Sequence, residues 1–285
     1  MTETPYLTQE QILEKLKDIH IHFATPCYGG MMHEACASSY IRFTIMAIKL
    51  GIKFSLDTMT NESLVPRARN NLVSKFLANK EATHLMFVDA DLRWEPESII
   101  RLALTDAKVV CGLYPMKGLP IRYVLNTIPD GRQIGTLLEV STAGNGFMMI
   151  DRDVITDLIE KMPETKYADS LNYDKDAEKY MYALFDTMID ESGHYLSEDW
   201  TFCKRVREIL KIPIWVDTDI KLDHYGTYAY KGDTTVIKGL ADKWIKEKIP
   251  NDLQNIAYEE FDTDEEFIED EFVEDEFEDT DDFGK

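Results

Sequence analysis

Asp89 and Asp91 stand two residues apart at the end of an apolar run, residues 83–88, that reads as a buried strand. The carboxyl ends of central strands are where open α/β sheets bind ligands. Two carboxylates there suit a hard divalent cation, which takes oxygen ligands and completes its shell with water and phosphate. An acidic pair closing a strand is equally at home in a solvated turn, so the spacing leaves both readings open. His224, in Leu222-Asp223-His224-Tyr225-Gly226, follows the last apolar strand and is either an ordinary histidine or a nitrogen donor to such a metal. Arg67, Arg69 and Asn70 fall in the first two turns of a predicted helix, whose free N–H groups and dipole favour an anion. Arg67 and Asn70, three apart, share a face, and arginine adds bidentate recognition of phosphate; the alternative is a charged surface helix. Ser197-Glu198-Asp199 opens another helical run, with Ser197 as N-cap and the two acids where the helix dipole stabilises them. Read functionally, Asp199 or Glu198 accepts a proton from an attacking hydroxyl. Gly144-Asn145-Gly146 reads as a tight turn into a strand, because Asn-Gly readily takes positive φ, and Gly146 would let the backbone pass close to a bound sugar or phosphate.

These residues need a scaffold, and the apolar periodicity supplies one. A helix over 7–19 precedes a strand over 21–24 and the breaker-rich loop Thr25-Pro26-Cys27-Tyr28-Gly29-Gly30. A helix over 34–50 stops at Gly51, and a strand follows over 52–56. Next come a helix over 63–77, with Ser63 as N-cap and Pro66 in the first turn, the strand over 83–88, a helix over 96–104 and a strand over 107–112. This β-α-β-α-β-α-β order predicts an α/β fold with a largely parallel sheet and helices on both faces. Beyond residue 112 the rhythm is mixed: strands over 121–125, 137–140 and 146–150, helices over 152–161 and 198–210, and one or two strands in 215–222. The expected organisation is an N-terminal helix (1–19), a domain over 20–250 made of a nucleotide-binding half (20–112) and an acceptor half (113–250), and an acidic tail (251–285).

Composition narrows the function. The chain has 285 residues, 44% of them hydrophobic, enough for a sizeable core. Its net charge of -22 is concentrated in residues 258–285, which hold 16 acids and one lysine, leaving -7 on the rest. A nonspecific nucleic-acid binder held by a basic face is therefore disfavoured. Cys27, Cys36, Cys111 and Cys203 match neither a CxxC zinc pattern nor a disulfide framework and read as reduced core thiols. No apolar run approaches a membrane span, and the polar start lacks a signal peptide's features, so a soluble cytoplasmic protein is expected, with no membrane insertion.

The ordered series Thr25-Pro-Cys-Tyr-Gly-Gly, Ser63-Leu-Val-Pro-Arg-Ala-Arg-Asn, Phe87-Val-Asp-Ala-Asp, Gly144-Asn-Gly-Phe-Met-Met-Ile, Leu196-Ser-Glu-Asp-Trp and Leu222-Asp-His resembles the GT-A glycosyltransferases. It is most similar to compact family-2-like members encoded by bacteriophages, over roughly residues 20–230; a viral member would work in the host cytoplasm. The resemblance implies a nucleotide-sugar donor, a UDP-sugar above others, with Mn²⁺ or Mg²⁺ bound by Asp91 and His224. Asp89 would reach the metal through water or contact the ribose. Thr25, Pro26 and Tyr28 would hold the nucleotide, Arg67 would lie near the phosphates, and Asp199 would be the base of an inverting reaction. Trp200-Thr-Phe-Cys stands where many family-2 enzymes carry QxxRW, which argues against a processive polysaccharide synthase.

The acceptor is a glycan, a protein or a hydroxymethylated DNA base, the last requiring a local basic rim from Arg101, Lys108, Lys117 and Arg122. Competing readings are a sugar-phosphate nucleotidyltransferase, whose Gly-rich loop Gly29-Gly30-Met31-Met32 does not match, and a noncatalytic interaction protein working through its acidic tail. A HAD-type phosphatase is disfavoured by Arg93, two residues beyond Asp91. The nearly unbroken acid of the tail predicts disorder, and three roles compete for it: a solubility tail, a segment that binds a protein partner, which the evenly spread phenylalanines favour over mere solubility, and an intramolecular mimic of an anionic acceptor.

Overall fold

The structure, a computed structural model, describes residues 8–168 and 174–234. The acidic tail, with the expectations attached to it, lies outside the described residues. Helix α1 (Gln9–Leu16) leads into β1 (His20–Cys27), α2 (Glu34–Leu50), β2 (Lys53–Thr60), α3 (Val65–Ala78), β3 (His84–Val88), β4 (Leu92–Arg93), α4 (Pro96–Ala103) and β5 (Val109–Gly112). The chain continues through β6 (Leu125–Thr127), β7 (Gln133–Ile134), β8 (Leu137–Ala143), β9 (Phe147–Asp151) and α5 (Arg152–Lys161). It ends, among the described residues, with β10 (Met188–Ile189), β11 (Tyr195–Leu196), α6 (Glu198–Arg205), β12 (Ile214–Asp217), β13 (Asp223–Tyr225) and β14 (Ala229–Lys231).

The main sheet runs β2-β1-β3-β9-β5-β12-β8-β6, with β7 paired to β8. Strands β1, β2 and β3 are parallel, as are β5 and β12, while β9 is antiparallel to both β3 and β5. The mostly parallel α/β sheet expected from the sequence is present, with β9 antiparallel in its middle and β8 antiparallel to its neighbours β12, β6 and β7. Side chains alternate between two cores, as the pleat requires. From β3, Leu85 and Phe87 pack with residues of α3, α5 and α6, while Met86 and Val88 pack with α1, α2 and α4. Helices thus cover both faces. All four cysteines are buried and free, as read from the sequence.

Three local expectations are corrected. Ser63 does not cap α3; the buried Glu62 carboxylate accepts from the Leu64 N–H at 2.9 Å instead. The strand expected over 121–125 is shifted to β6, because Pro115 and Pro120 interrupt pairing there and only the isolated Pro115–Tyr123 bridge forms. Helix α6 is regular only to Arg205 and then widens into a π turn over Val206–Leu210.

At the β1–β2 edge, His22 is buried beneath a polar network. Its Nδ1 lies 2.9 Å from Ser55 Oγ and its Nε2 3.4 Å from Asp57, which Lys75 also contacts at 3.2 Å. Burial outweighs the Asp57 charge and lowers the imidazole to about 4. A base depressed on folding stabilises the native state fully above its unfolded value of about 6.5, and that contribution disappears as pH falls from there toward 4. We expect urea unfolding to show up to about 3 kcal/mol lost between pH 7 and pH 4.5, with His22→Gln flattening that slope. An unchanged slope in the variant would show that His22 is not the group responsible.

Candidate active site

Asp89 and Asp91 follow the carboxyl end of β3, and Arg69 meets the first of them there. It lies on the stripe of α3 that includes Leu72, Val73 and Phe76, all buried, and is itself 4% exposed. Its Nη2 donates to Asp89 Oδ1 at 2.8 Å and its Nε to Glu198 Oε1 at 3.3 Å. Burial opposes the charge, but Asp89 and Glu198 outweigh it and hold the guanidinium more firmly protonated than usual. Its Nη1 is buried with no hydrogen-bond partner among the described residues.

An aromatic column supports this ion triad. The Arg69 guanidinium lies 5.1 Å from the centre of the Phe87 ring, which meets Phe185 edge-on at 5.2 Å; Phe185 stacks on Phe202 at 4.2 Å. Phe202 is one turn after Glu198, so the stack sets where α6 begins. Asn70 pins Phe185: its Nδ2 donates to the Phe185 carbonyl at 2.6 Å and its Oδ1 accepts the Phe185 N–H at 2.9 Å. The Asn70 amide is thereby committed to the backbone and holds the column rather than offering a free donor to an anion.

Asp89 is fixed a second time by the glycine turn. Its N–H donates to the Gly146 carbonyl at 2.8 Å, and the Gly146 N–H donates to Tyr114 Oη at 3.1 Å. A Cβ on Gly146 would come within 2.5 Å of Asp89 Oδ2, and one on Gly144 within 2.4 Å of Tyr114 Oη. Neither Asn145 nor Gly146 takes positive φ, so these glycines serve close approach, not the expected turn conformation. Burial pushes the Tyr114 phenol well above its usual range, and the Asp89 charge adds to this.

Asp91 has different company. Strand β13 pairs with β4, placing His224 opposite Leu92, and the Tyr225 N–H donates to the Asp91 carbonyl at 2.9 Å. His224 Nε2 lies 3.3 Å from Asp91 Oδ1, while its Nδ1 donates to the Pro115 carbonyl at 2.8 Å. Lys117 binds the other carboxylate oxygen at 2.5 Å. Burial works against the charge, yet His224 and Lys117 overcome it and hold Asp91 down to about 2.

The remaining predicted residues are spread around this centre. Asp199 has its carboxyl raised by burial; Ser197 Oγ and the Trp200 N–H both donate to Oδ1, so neither of these bonds uses Oδ2. Ser197 therefore caps the carboxylate, not the helix backbone. Arg67 is forked onto Glu62 at 2.7 and 2.9 Å. Thr25 is buried with its hydroxyl 2.6 Å from Tyr40 Oη, Pro26 is half-buried within β1, and Tyr28 is 71% exposed. Asp89, Glu198 and Asp91 with His224 are thus brought to one sheet edge, whereas the side chains of Thr25 and Asn70 are committed elsewhere. Sequence reasoning passed over Tyr114, placed Lys117 only in a candidate basic rim, and chose Arg67 over Arg69 for the phosphates. The missed signal was a lone arginine in a stripe of apolar residues at i+3, i+4 and i+7. Among the described residues no group of three His, Cys, Asp or Glu side chains is gathered to hold a metal, since Asp89 turns to Arg69 while Asp91 turns to His224.

Replacing Arg69 by Met leaves two largely buried carboxylates without a counter-charge, and we expect a loss of about 3 kcal/mol in urea unfolding. Adding Asp89→Asn and Glu198→Gln to that variant should restore most of it. A loss under about 1 kcal/mol for the single variant would show that the triad does not organise this edge.

No protein-family model matches the chain, and neither does any curated protein. Among solved structures it is similar to A197 from STIV, at 19% identity over 73% of this chain and 86% of that one, with a TM-score of 0.44. UDP-glucose pyrophosphorylase complexed with UDP-glucose is similar at 10% identity over 84% and 86% of the two chains, with a TM-score of 0.35. GalNAc-T7 with UDP, GalNAc and Mn²⁺ is similar at 8% identity over 72% of this chain and 43% of that one, with a TM-score of 0.38.

Proposed function

We propose that this protein is a metal-dependent glycosyltransferase of the GT-A type, moving a sugar from a nucleotide-sugar donor, a UDP-sugar above others, to a hydroxyl acceptor. The observation that carries this reading is the Asp91–His224 pair at the carboxyl end of β3. With Nδ1 donating to Pro115, a neutral His224 ring turns its Nε2 lone pair toward a carboxylate. A proton or a cation between the two satisfies both, so the donor set fits Mn²⁺ or Mg²⁺ with Asp91 and His224 as protein ligands. A divalent cation there supplies neutralisation of charge on the departing nucleoside diphosphate.

The chain's own groups have separable tasks. Asp89, locked by Arg69 and by the Gly146 turn, serves as a fixed acceptor for the donor, its ribose included, instead of a direct metal ligand. Gly146 keeps the backbone low beside it. Arg69 Nη1 and Asn145 Nδ2, buried without hydrogen-bond partners among the described residues, are donors for the anionic groups of the nucleotide sugar. Thr25 can act on the nucleotide only through its backbone, leaving Pro26 and the exposed Tyr28 ring as its side-chain contacts; Arg67, steadied by Glu62, lies on the rim. Asp199 is the proton acceptor for the attacking hydroxyl. Its Oδ1 takes two donors and leaves Oδ2 for substrate, while Glu198 is occupied by Arg69 and positions it. For the acceptor, a glycan or a protein is favoured over DNA. Arg101 is forked on Asp217 and Lys108 lies 3.9 Å from Asp153, so two of the four cations proposed for a phosphate-binding rim already face carboxylates.

A donor screen reading nucleoside diphosphate release, followed by mass spectrometry of candidate acceptors, tests the reaction class. Pyrophosphorolysis of the nucleotide sugar to a nucleoside triphosphate and a sugar 1-phosphate would mark nucleotidyl transfer and overturn it. Asp199→Asn should lower turnover by ~10²–10⁴-fold with donor binding intact. The acid limb of the wild-type pH profile should lie above the ordinary Asp value of about 3.9, because burial raises this carboxyl. Full activity in the variant would return Asp199 to a purely structural role.

A further inference from the structure

Both oxygens of Asp91 are engaged: Oδ1 faces His224 Nε2 at 3.3 Å, and Oδ2 holds the Lys117 ammonium at 2.5 Å. Lys117 belongs to the loop between β5 and β6, whose base is tied by the Met116 N–H to the Arg122 carbonyl at 2.7 Å and by the Pro115–Tyr123 bridge. Pro115 also orients His224, so the loop that carries the lysine holds the histidine through a separate, backbone contact. The lysine stem passes over Gly226, where a Cβ would stand 3.4 Å from its Cδ, and its side chain is 38% exposed. The ammonium can therefore leave Asp91 by rotating a flexible four-carbon stem, without disturbing the loop base or His224.

Resting on the glycosyltransferase reading of this site, we infer that Lys117 is a resident counter-ion of Asp91 that a divalent cation must displace, and that the displaced ammonium is received by the donor diphosphate. A carboxylate with a monovalent cation already on one oxygen binds a second cation less well, since the two charges compete for the same atoms. A diphosphate offers the ammonium an equivalent partner and so frees Asp91. The consequence is coupling: cation and diphosphate each bind weakly alone and strengthen one another, by the same factor in both directions. Lys117 thereby discourages metal capture before donor arrives, and it contributes a positive charge to the diphosphate afterwards.

The experiment compares wild type, Lys117→Met and Asp91→Asn by water-proton relaxation and calorimetry, using Mn²⁺ alone, UDP alone and the two together. The methionine keeps the length of the stem, and the site of change is on the surface. We expect Lys117→Met to bind Mn²⁺ alone up to about 5-fold more tightly, the scale of a part-exposed ion pair, to bind UDP alone more weakly, and to show a smaller mutual enhancement. Lys117→Arg should stay close to wild type. Equal or weaker Mn²⁺ binding in Lys117→Met with undiminished enhancement overturns the inference. Asp91→Asn separates the two levels of argument. If it leaves Mn²⁺ binding intact, the metal reading fails; if it abolishes binding while Lys117→Met changes nothing, only the counter-ion inference fails. Absence of Mn²⁺ binding in every protein, with UDP present, overturns both.

Discussion

A guanidinium withdrawn from water holds together three elements that are distant in sequence. Arg69 comes from α3, Asp89 follows β3 and Glu198 begins α6, and the two acids would repel each other across a poorly solvated gap without the charge between them. The arginine is tolerable at that depth because both carboxylates and the face of Phe87 surround it. The Asn70–Phe185–Phe202 contacts then serve to keep its partners in reach. The electrostatic and the aromatic supports converge on the same two places, the end of β3 and the first turn of α6.

The same constraint makes the two aspartates unlike. One residue apart from Ala90, they have opposite surroundings: Asp89 is held by a buried cation and a backbone turn, whereas Asp91 is 36% exposed and contacts groups on the β13 strand and the β5–β6 loop. A short acidic motif therefore contains one carboxylate held by a buried cation and one that is partly exposed. That division follows from which neighbour each side chain meets.

The strand–helix rhythm up to residue 112 was legible because a strand buried on both faces must be apolar throughout, as Leu85 to Val88 are, and because its intervening helices have clear stops such as Gly51, which does take positive φ. The acid pair and His224 were legible as candidates by their place after strands. What periodicity could not supply was partnership across the fold. Arg67 and Arg69 look alike on the page, yet one pairs locally with Glu62 and the other spans 129 residues to Glu198. Gly146 was singled out for nearness to a ligand, while its measured nearness is to Asp89 and Tyr114. Lys117 carries no local signal at all, since only tertiary structure brings its loop to Asp91.

Strand β9 has a consequence for how the chain can be assembled. It separates β3 from β5 in the sheet, although it is made after both. Until residue 151 has emerged and been inserted, β3 lacks the partner on one side and β5 lacks the same partner, and β1, β2, β3 and β5 cannot close into a continuous sheet. Contacts between β9 and β3 span about 60 residues, the kind of non-local pairing that slows folding and leaves apolar edges waiting. The segment that positions Asp89 through Gly146 thus also joins the two parallel blocks of the sheet, β2-β1-β3 and β5-β12.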